Sequence, residues 1–178
     1  MNVIQTEIPG VVVIEPVVHG DERGFFLETF QARRYSEVAE IGLPFVQDNY
    51  SRSAKGVLRG LHFQKLRPQG KLVRVVRGEV YDIAVDIREG SPTFGRWFGT
   101  ILNEDNKKQL WVPPGLAHGF VVLSDIADFE YKCTDYYDPA DEGCLAWDDP
   151  DIGIEWPVDS PVLSSKDQEG LLLAELFK

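Results

Sequence analysis

Between residues 71 and 134 the chain is cut into short apolar segments that alternate on a two-residue period and stop at Gly, Pro or polar turns, a pattern that strands satisfy and helices do not. Lys71–Arg77 and Val80–Arg88 are two such runs separated by Gly78-Glu79, which predicts a hairpin. Gly95–Leu102, Gln109–Val112, Gly119–Leu123 and Ala127–Thr134 continue the series. Upstream, Val11–Val18 is β-branched but contains Pro16, which has no N–H to give a ladder, so it suits an edge strand or one that bends. Short strands at this spacing predict an all-β chain built as a double-sheet jelly roll or barrel. Helix is expected only at Arg33–Glu40, closed by Gly42 and Pro44, and in a short piece at Leu171–Leu176. With no linker, repeat or low-complexity run, residues 1–178 read as one domain.

Charge and composition remove several classes of function. A net charge of −11 argues against nucleic-acid binding, which needs a basic surface. No apolar run approaches the roughly 18 residues that span a bilayer, so no membrane partner is expected. The first residues lack the basic and apolar regions of a secretory signal, and two cysteines, Cys133 and Cys144, are too few for a disulfide framework. Both features point to the cytoplasm, with the thiols as packing residues. The basic residues are nevertheless concentrated. Arg52, Lys55, Arg59, Lys65, Arg67, Lys71, Arg74 and Arg77 fall in one stretch, while Asp125–Glu155 is dominated by acids. Such a stretch is either a solvated face or a cationic pocket for a phosphorylated ligand.

Strand parity sorts the polar residues. Along Val80–Ile87, Tyr81, Ile83, Val85 and Ile87 share one face, and Val80, Asp82, Ala84 and Asp86 share the other, a mixture suited to the wall of a polar cavity. Lys71, Val73 and Val75 share a face, and position alone leaves Lys71 free to look into that cavity or out to water. The histidines are only three, His19, His62 and His118. His62 lies in Arg59-Gly60-Leu61-His62-Phe63-Gln64, where imidazole, with an unperturbed pKa of about 6.5, could take or give a proton at neutral pH. Arg59 and His62 differ by three and should point to opposite faces, unless Gly60 marks a bulge that re-aims them.

The second histidine closes Pro113-Pro114-Gly115-Leu116-Ala117-His118, which resembles the second motif of the cupin superfamily of small barrels. Where metal-binding cupins place an H-x-H pair, this chain reads His62-Phe63-Gln64, so a ligand histidine is replaced by glutamine and no metal or other cofactor is expected. A narrower resemblance is carried by Asp21–Glu28, Gln47-Asp48-Asn49, Leu58–His62, Gly70–Val73, Pro113–Phe120, Tyr131-Lys132 and Leu163–Asp167, in order and over nearly the whole length. Together these resemble the dTDP-4-dehydrorhamnose 3,5-epimerases, the metal-independent epimerases of dTDP-L-rhamnose biosynthesis. The resemblance implies a cupin-type jelly roll, a double-stranded β-helix barrel with a few short helices.

It also implies a substrate and a set of roles. The substrate is a dTDP-linked 4-keto-6-deoxy sugar whose C3 and C5 hydrogens are acidified by the C4 ketone. His62 matches the base, Tyr131 the acid on the opposite face, Asp167 the carboxylate that orients the histidine, and Lys71 the cation beside the enolate oxygen. Arg59 and Arg23 match residues that contact the diphosphate or nucleoside, and arginine forks suit phosphate oxygens. Glu28, Gln47 and Asn49 match further nucleotide contacts, and His118, Glu142 and Lys166 match other ligand-binding positions. The family exchanges N-terminal strands within a homodimer, carrying Arg23, Phe26 and Glu28 into the partner's site. Three other readings share parts of these motifs: a mono-epimerase acting at C3 or C5 of a related sugar nucleotide, a metal-dependent cupin oxygenase, and a non-catalytic nucleotide-sugar binding module.

Overall fold

A computed structural model describes all residues, 1–178. Its strands are β1 (Asn2–Gln5), β2 (Val12–Glu15), β3 (Val18–Asp21), β4 (Gly24–Leu27), β5 (Gln47–Ala54), β6 (Leu58–Gln64), β7 (Lys71–Arg77), β8 (Glu79–Asp86), β9 (Trp97–Asn103), β10 (Gln109–Val112), β11 (Leu116–Val122), β12 (Ile126–Cys133) and β13 (Glu142–Cys144). Helices are α1 (Ala32–Ala39), α2 (Ser165–Gln168) and a 3₁₀ turn at Leu173–Glu175. A six-stranded sheet runs β1-β2-β10-β7-β12-β5, a five-stranded sheet runs β13-β6-β11-β8-β9, and β3-β4 stand apart as a two-stranded arm.

The two large sheets bury their inner faces against each other. Val13, Val73, Val75, Leu110 and Phe129 from the first meet Val80, Ala84, Leu116, Phe120 and Val122 from the second. Both outer faces are also covered, which is why several strands read as continuous apolar runs. Tyr35, Ala39 and Ile41, on and just after α1, pack on Val12, Ile14, Leu72 and Trp111 of the six-stranded sheet, and the Tyr35 hydroxyl donates to Gln109 Oε1 at 2.7 Å. Leu145, Ile152 and Leu176 of the C-terminal segment pack on Leu61, Phe63, Ile83 and Val85 of the other. At about 1.5–3 kcal/mol per buried side chain, these anchors hold the C-terminal segment, and α2 with it, against β6.

The structure corrects some sequence expectations and decides between the alternatives that others left open. The Gly78-Glu79 hairpin does not form. β7 pairs with β10 and β12, β8 pairs with β11 and β9, and the chain crosses from one sheet to the other at Gly78. The two runs look alike because each has an inner apolar face, but those faces oppose each other across the core. The Val11–Val18 run bends, breaking at Pro16-Val17 into β2 and β3, and β2 lies inside its sheet between β1 and β10. The chain also forms α2, which no expected helix covered. Most of the basic stretch is a solvated face: Arg52 pairs with Asp128 at 2.6 Å, Arg74 with Glu130, and Arg67 with Asp135. The acids come from β12 and the loop after it, because β12 lies between β5 and β7. Asp86 also leaves the proposed cavity wall. It is buried under Arg88, Ser91 and Thr93, where it staples a loop.

One irregularity in the β6–β11 ladder sets which side chains share the inner face. On β6 and β11, His62 pairs with His118 and Arg59 with Phe120, so three steps on one strand oppose two on the other. This bulge at Gly60 cancels the parity conflict and puts Arg59 and His62 on the same, inner face. Gly60 has φ +128, and a Cβ there would stand 2.6 Å from the Gly119 Cα and 2.8 Å from the His118 carbonyl oxygen. Gly60→Ala is therefore expected to cost about 1–3 kcal/mol in backbone strain alone. Each kcal/mol should lower the melting temperature by about 2–4 °C in a chain of this size. An unchanged melting curve would show that the bulge tolerates a side chain.

Candidate active site

Polar side chains converge where the inner faces of the two sheets diverge from their apolar core. His62 Nε2 lies 2.6 Å from Asp167 Oδ1, while the second carboxylate oxygen accepts from Ser164 Oγ at 2.6 Å. Ser164 also caps α2, its oxygen taking the Asp167 backbone N–H, so a helix cap fixes the carboxylate. The Gly60 N–H donates to Asp167 Oδ1 at 3.3 Å. Asp167 is buried, and burial alone would push its pKa up. The hydrogen bonds from His62, Ser164 and Gly60 outweigh that and hold it down at about 2.

A second histidine–carboxylate pair lies beside the first. His118 Nε2 is 3.0 Å from Asp82 Oδ1, both residues are buried, and the His118 ring stacks on Phe129 of the opposite sheet. Desolvation raises the Asp82 pKa, opposed by His118 and Lys71. Lys71 shares the inner face with Val73 and Val75. Burial lowers its pKa, and nearby Cys133, Glu142 and Asp82 counter the effect. Tyr131 projects from β12 against the inner core, and burial, with Cys133 and Glu142 nearby, pushes its phenol up to about 12. The hydroxyl therefore keeps its proton at neutral pH. His62 and Tyr131 thus stand on facing sheets, with Lys71 on the same sheet as Tyr131.

At the rim, Glu142 accepts from the Tyr137 hydroxyl at 2.6 Å, pairs with Lys166, and sits 4.0 Å from His62 Nδ1. Burial raises Glu142, but Lys166 and Tyr137 outweigh it and lower the pKa. Arg59 Nε donates to Ser53 Oγ at 2.9 Å. Gln47 Nε2 donates to Asn49 Oδ1, Gln47 Oε1 accepts the Tyr137 N–H, and Asn49 reaches Cys133 Sγ at 3.5 Å. Gln64 ties down a loop through the Arg67 and Tyr136 carbonyls and the Asp138 N–H, so it is fully engaged away from any ligand set. His62, Cys144 and Asp167 are the residues whose donor atoms cluster closely enough to hold an ion.

Hydrogen bonds, ion pairs and mutual charge effects therefore link His62, Asp167, Glu142, Lys166, Lys71, Tyr131, Arg59, His118, Gln47 and Asn49 into one neighbourhood. The structure does not bring Arg23, Phe26 or Glu28 there. Arg23 pairs with Asp21 in the β3–β4 turn, Glu28 pairs with Arg34, and Phe26 is 70% exposed on the arm.

Residues 5–175 match the family model for dTDP-4-dehydrorhamnose 3,5-epimerase. The dTDP-4-dehydrorhamnose 3,5-epimerase of Shigella flexneri is 58% identical over 172 residues, covering 96% of this chain and 94% of that one. The enzyme of the same name from Pseudomonas aeruginosa is 53% identical over 176 residues, 98% of this chain and 97% of its own. This chain belongs to the dTDP-4-dehydrorhamnose 3,5-epimerase family. The crystal structure of a Legionella pneumophila dTDP-6-deoxy-D-glucose-3,5-epimerase in complex with dTDP-4-keto-L-rhamnose superposes with a TM-score of 0.96 at 57% identity, over 98% of this chain and 94% of that one. Family membership and that superposition establish the cupin-like barrel.

Three residues of the site escaped a role in the sequence reading. Asp82 had a signal, an acid among the small apolar residues Val80 and Ala84 on one face of its strand. Ser164 had one too, since a serine three residues before an acid is a capping pattern. Tyr137 had none, because its position follows from a loop that only the fold brings to Glu142. The Asp167 carboxylate carries a pH signature. In the unfolded chain it takes up its proton near 3.8, and in the folded chain near 2. Its stabilising contribution is present above about pH 4 and is lost as pH falls through 2. Thermal melts of the native chain should drop more steeply between pH 4 and 2 than those of Asp167→Asn, whereas parallel curves would contradict the hydrogen-bonded carboxylate.

Proposed function

We propose that this chain, acting as a single cytoplasmic domain, converts dTDP-4-dehydro-6-deoxy-D-glucose to dTDP-4-dehydro-L-rhamnose by inverting C3 and C5. The observation that carries the reading is the placement of the His62–Asp167 pair on one inner wall and Tyr131 on the facing wall. Epimerisation next to a ketone needs a base on one face of the sugar ring and an acid on the other. His62 takes the proton from C3 or C5, and Asp167 stabilises the imidazolium that results. The electron pair moves into the C4 carbonyl, and Lys71 faces the developing oxyanion. One donor of this kind is worth about 2.7–4 kcal/mol in measured cases. Tyr131 then delivers its hydroxyl proton from the opposite side.

The remaining residues bind and orient. Arg59, turned inward by the bulge, and the rim residues Gln47, Asn49, Glu142 and Lys166 face the entrance, where the diphosphate and nucleoside would lie. His118 borders the sugar beside Lys71. The test is incubation with dTDP-4-keto-6-deoxyglucose in D2O, followed by NMR at C3 and C5. Deuterium at both carbons with L-configured product is expected. Label at one carbon would make the chain a mono-epimerase, and no label would remove the activity. His62→Ala should abolish exchange at both carbons, and Tyr131→Phe should keep part of the exchange while losing inversion.

Arg23, Phe26 and Glu28 act in this reading from a second copy of the chain. Phe25 and Phe26 are 61% and 70% exposed on an arm that pairs only with itself, which leaves apolar surface that association would cover. A cavity of about 440 Å³ at the base of the arm, lined by residues including Met1, Val17, His19, Phe26 and Glu28, offers space for a partner. Sedimentation should give twice the chain mass, and Phe26→Ser should weaken the dimer and raise KM together. A fully active monomer would refute the exchanged-strand arrangement.

A further inference from the structure

Cys144 belongs to none of the roles above, yet it stands directly opposite His62 in the β6–β13 ladder, so both side chains project to the same face. One nitrogen of His62, the Cys144 sulfur and one oxygen of Asp167 all lie within 4.8 Å of one another. A tetrahedral zinc ion with bonds of about 2.0–2.3 Å separates its ligand atoms by about 3.4–3.7 Å. Side-chain rotations of an ångström or so would therefore seat an ion among the three. The set combines imidazole, thiolate and carboxylate, which favours a soft or borderline divalent cation over magnesium or calcium. The entrance is open, since the His62 side chain keeps 27% of its surface accessible.

From this geometry we propose that His62, Cys144 and Asp167 form an inhibitory site for zinc-like divalent cations. Binding exchanges the Cys144 thiol proton for a metal–sulfur bond and releases that proton to solvent. It also takes His62 Nε2, whose proton moves to Nδ1, and opens the 2.6 Å hydrogen bond to Asp167, because two ligands of one ion cannot stay that close. With Nδ1 protonated and Asp167 drawn to the ion, the imidazole has neither a free lone pair to abstract a proton nor a carboxylate to orient it. The inhibition rests on the role proposed for His62, whereas the binding does not.

The test separates the two. Chelator-treated protein is titrated with Co²⁺, and thiolate-to-cobalt charge-transfer absorption is followed in the near ultraviolet. Only two cysteines exist, so the assignment is unambiguous. The band should appear in the native chain and in Cys133→Ala, and vanish in Cys144→Ser and Cys144→Ala. Zn²⁺ should inhibit solvent-exchange activity reversibly, Mg²⁺ should not, and loss of the sulfur should weaken zinc inhibition about tenfold or more, as expected for a lost ligand. No band in the native chain, a band lost with Cys133 in place of Cys144, or equal zinc inhibition in the Cys144 variants would overturn the site. A band without activity in any variant would leave the metal site standing and remove the catalytic reading.

Discussion

At Gly60 and Gly119 the strands β6 and β11 approach so closely that a methyl group on either glycine would collide with the other strand's backbone. The extra residue accommodated there rotates Arg59 onto the face that His62 already occupies. Without it, strand alternation would send one of them into the apolar layer under the C-terminal segment, where an unpaired guanidinium costs several kcal/mol. The bulge also frees the Gly60 N–H from the ladder and points it at Asp167. One backbone irregularity thus brings a guanidinium onto the face of the imidazole and aims a backbone donor at the carboxylate that the imidazole also contacts.

The second organising element is the C-terminal segment. It covers the outer face of the five-stranded sheet with Leu145, Ile152 and Leu176, and in doing so carries α2 to the edge of β6. Asp167 arrives already fixed by its own helix cap. A buried carboxylate is tolerable only with such partners, and here it has a serine hydroxyl, a backbone amide and the imidazole. The interior charges follow the same rule. Asp82 is matched by His118, and Lys71 is influenced by Asp82 and Glu142 of the opposite sheet. Outside, the long basic and acidic tracts neutralise each other across β5, β7 and β12, which leaves Arg59 and Lys71 as the basic residues of the tract that turn inward.

The all-β class was legible in the alternation of apolar residues, and β10 was read to the residue because its bounds are set by Gln109 and by Pro113. Pairing was less legible. The Gly78-Glu79 break carries the same turn chemistry as a hairpin, but β8 pairs with β11 and β9 in the opposite sheet, and that choice of partner has no local signature. Parity alone placed Arg59 and His62 on opposite faces and could not orient Lys71. The family motifs marked both as site residues, and the register of β6 against β11 supplied the physical reason for Arg59.

What the sequence determined by itself is the strand content, the glycine that permits the bulge, and the identity of the chemical groups: imidazole, phenol, ammonium and carboxylate. Each is local, fixed by side-chain type and two-residue periodicity. What only the tertiary structure decided is their meeting. His62 and Asp167 are 105 residues apart and come within 2.6 Å only because a distant apolar segment docks on the sheet. Cys144 stands opposite His62 for the same reason, since strand β13 has no partner until β6 offers its edge. Long-range proximity of this kind is set by which apolar faces bury one another, and that sum over the whole chain is not written in any short stretch of it.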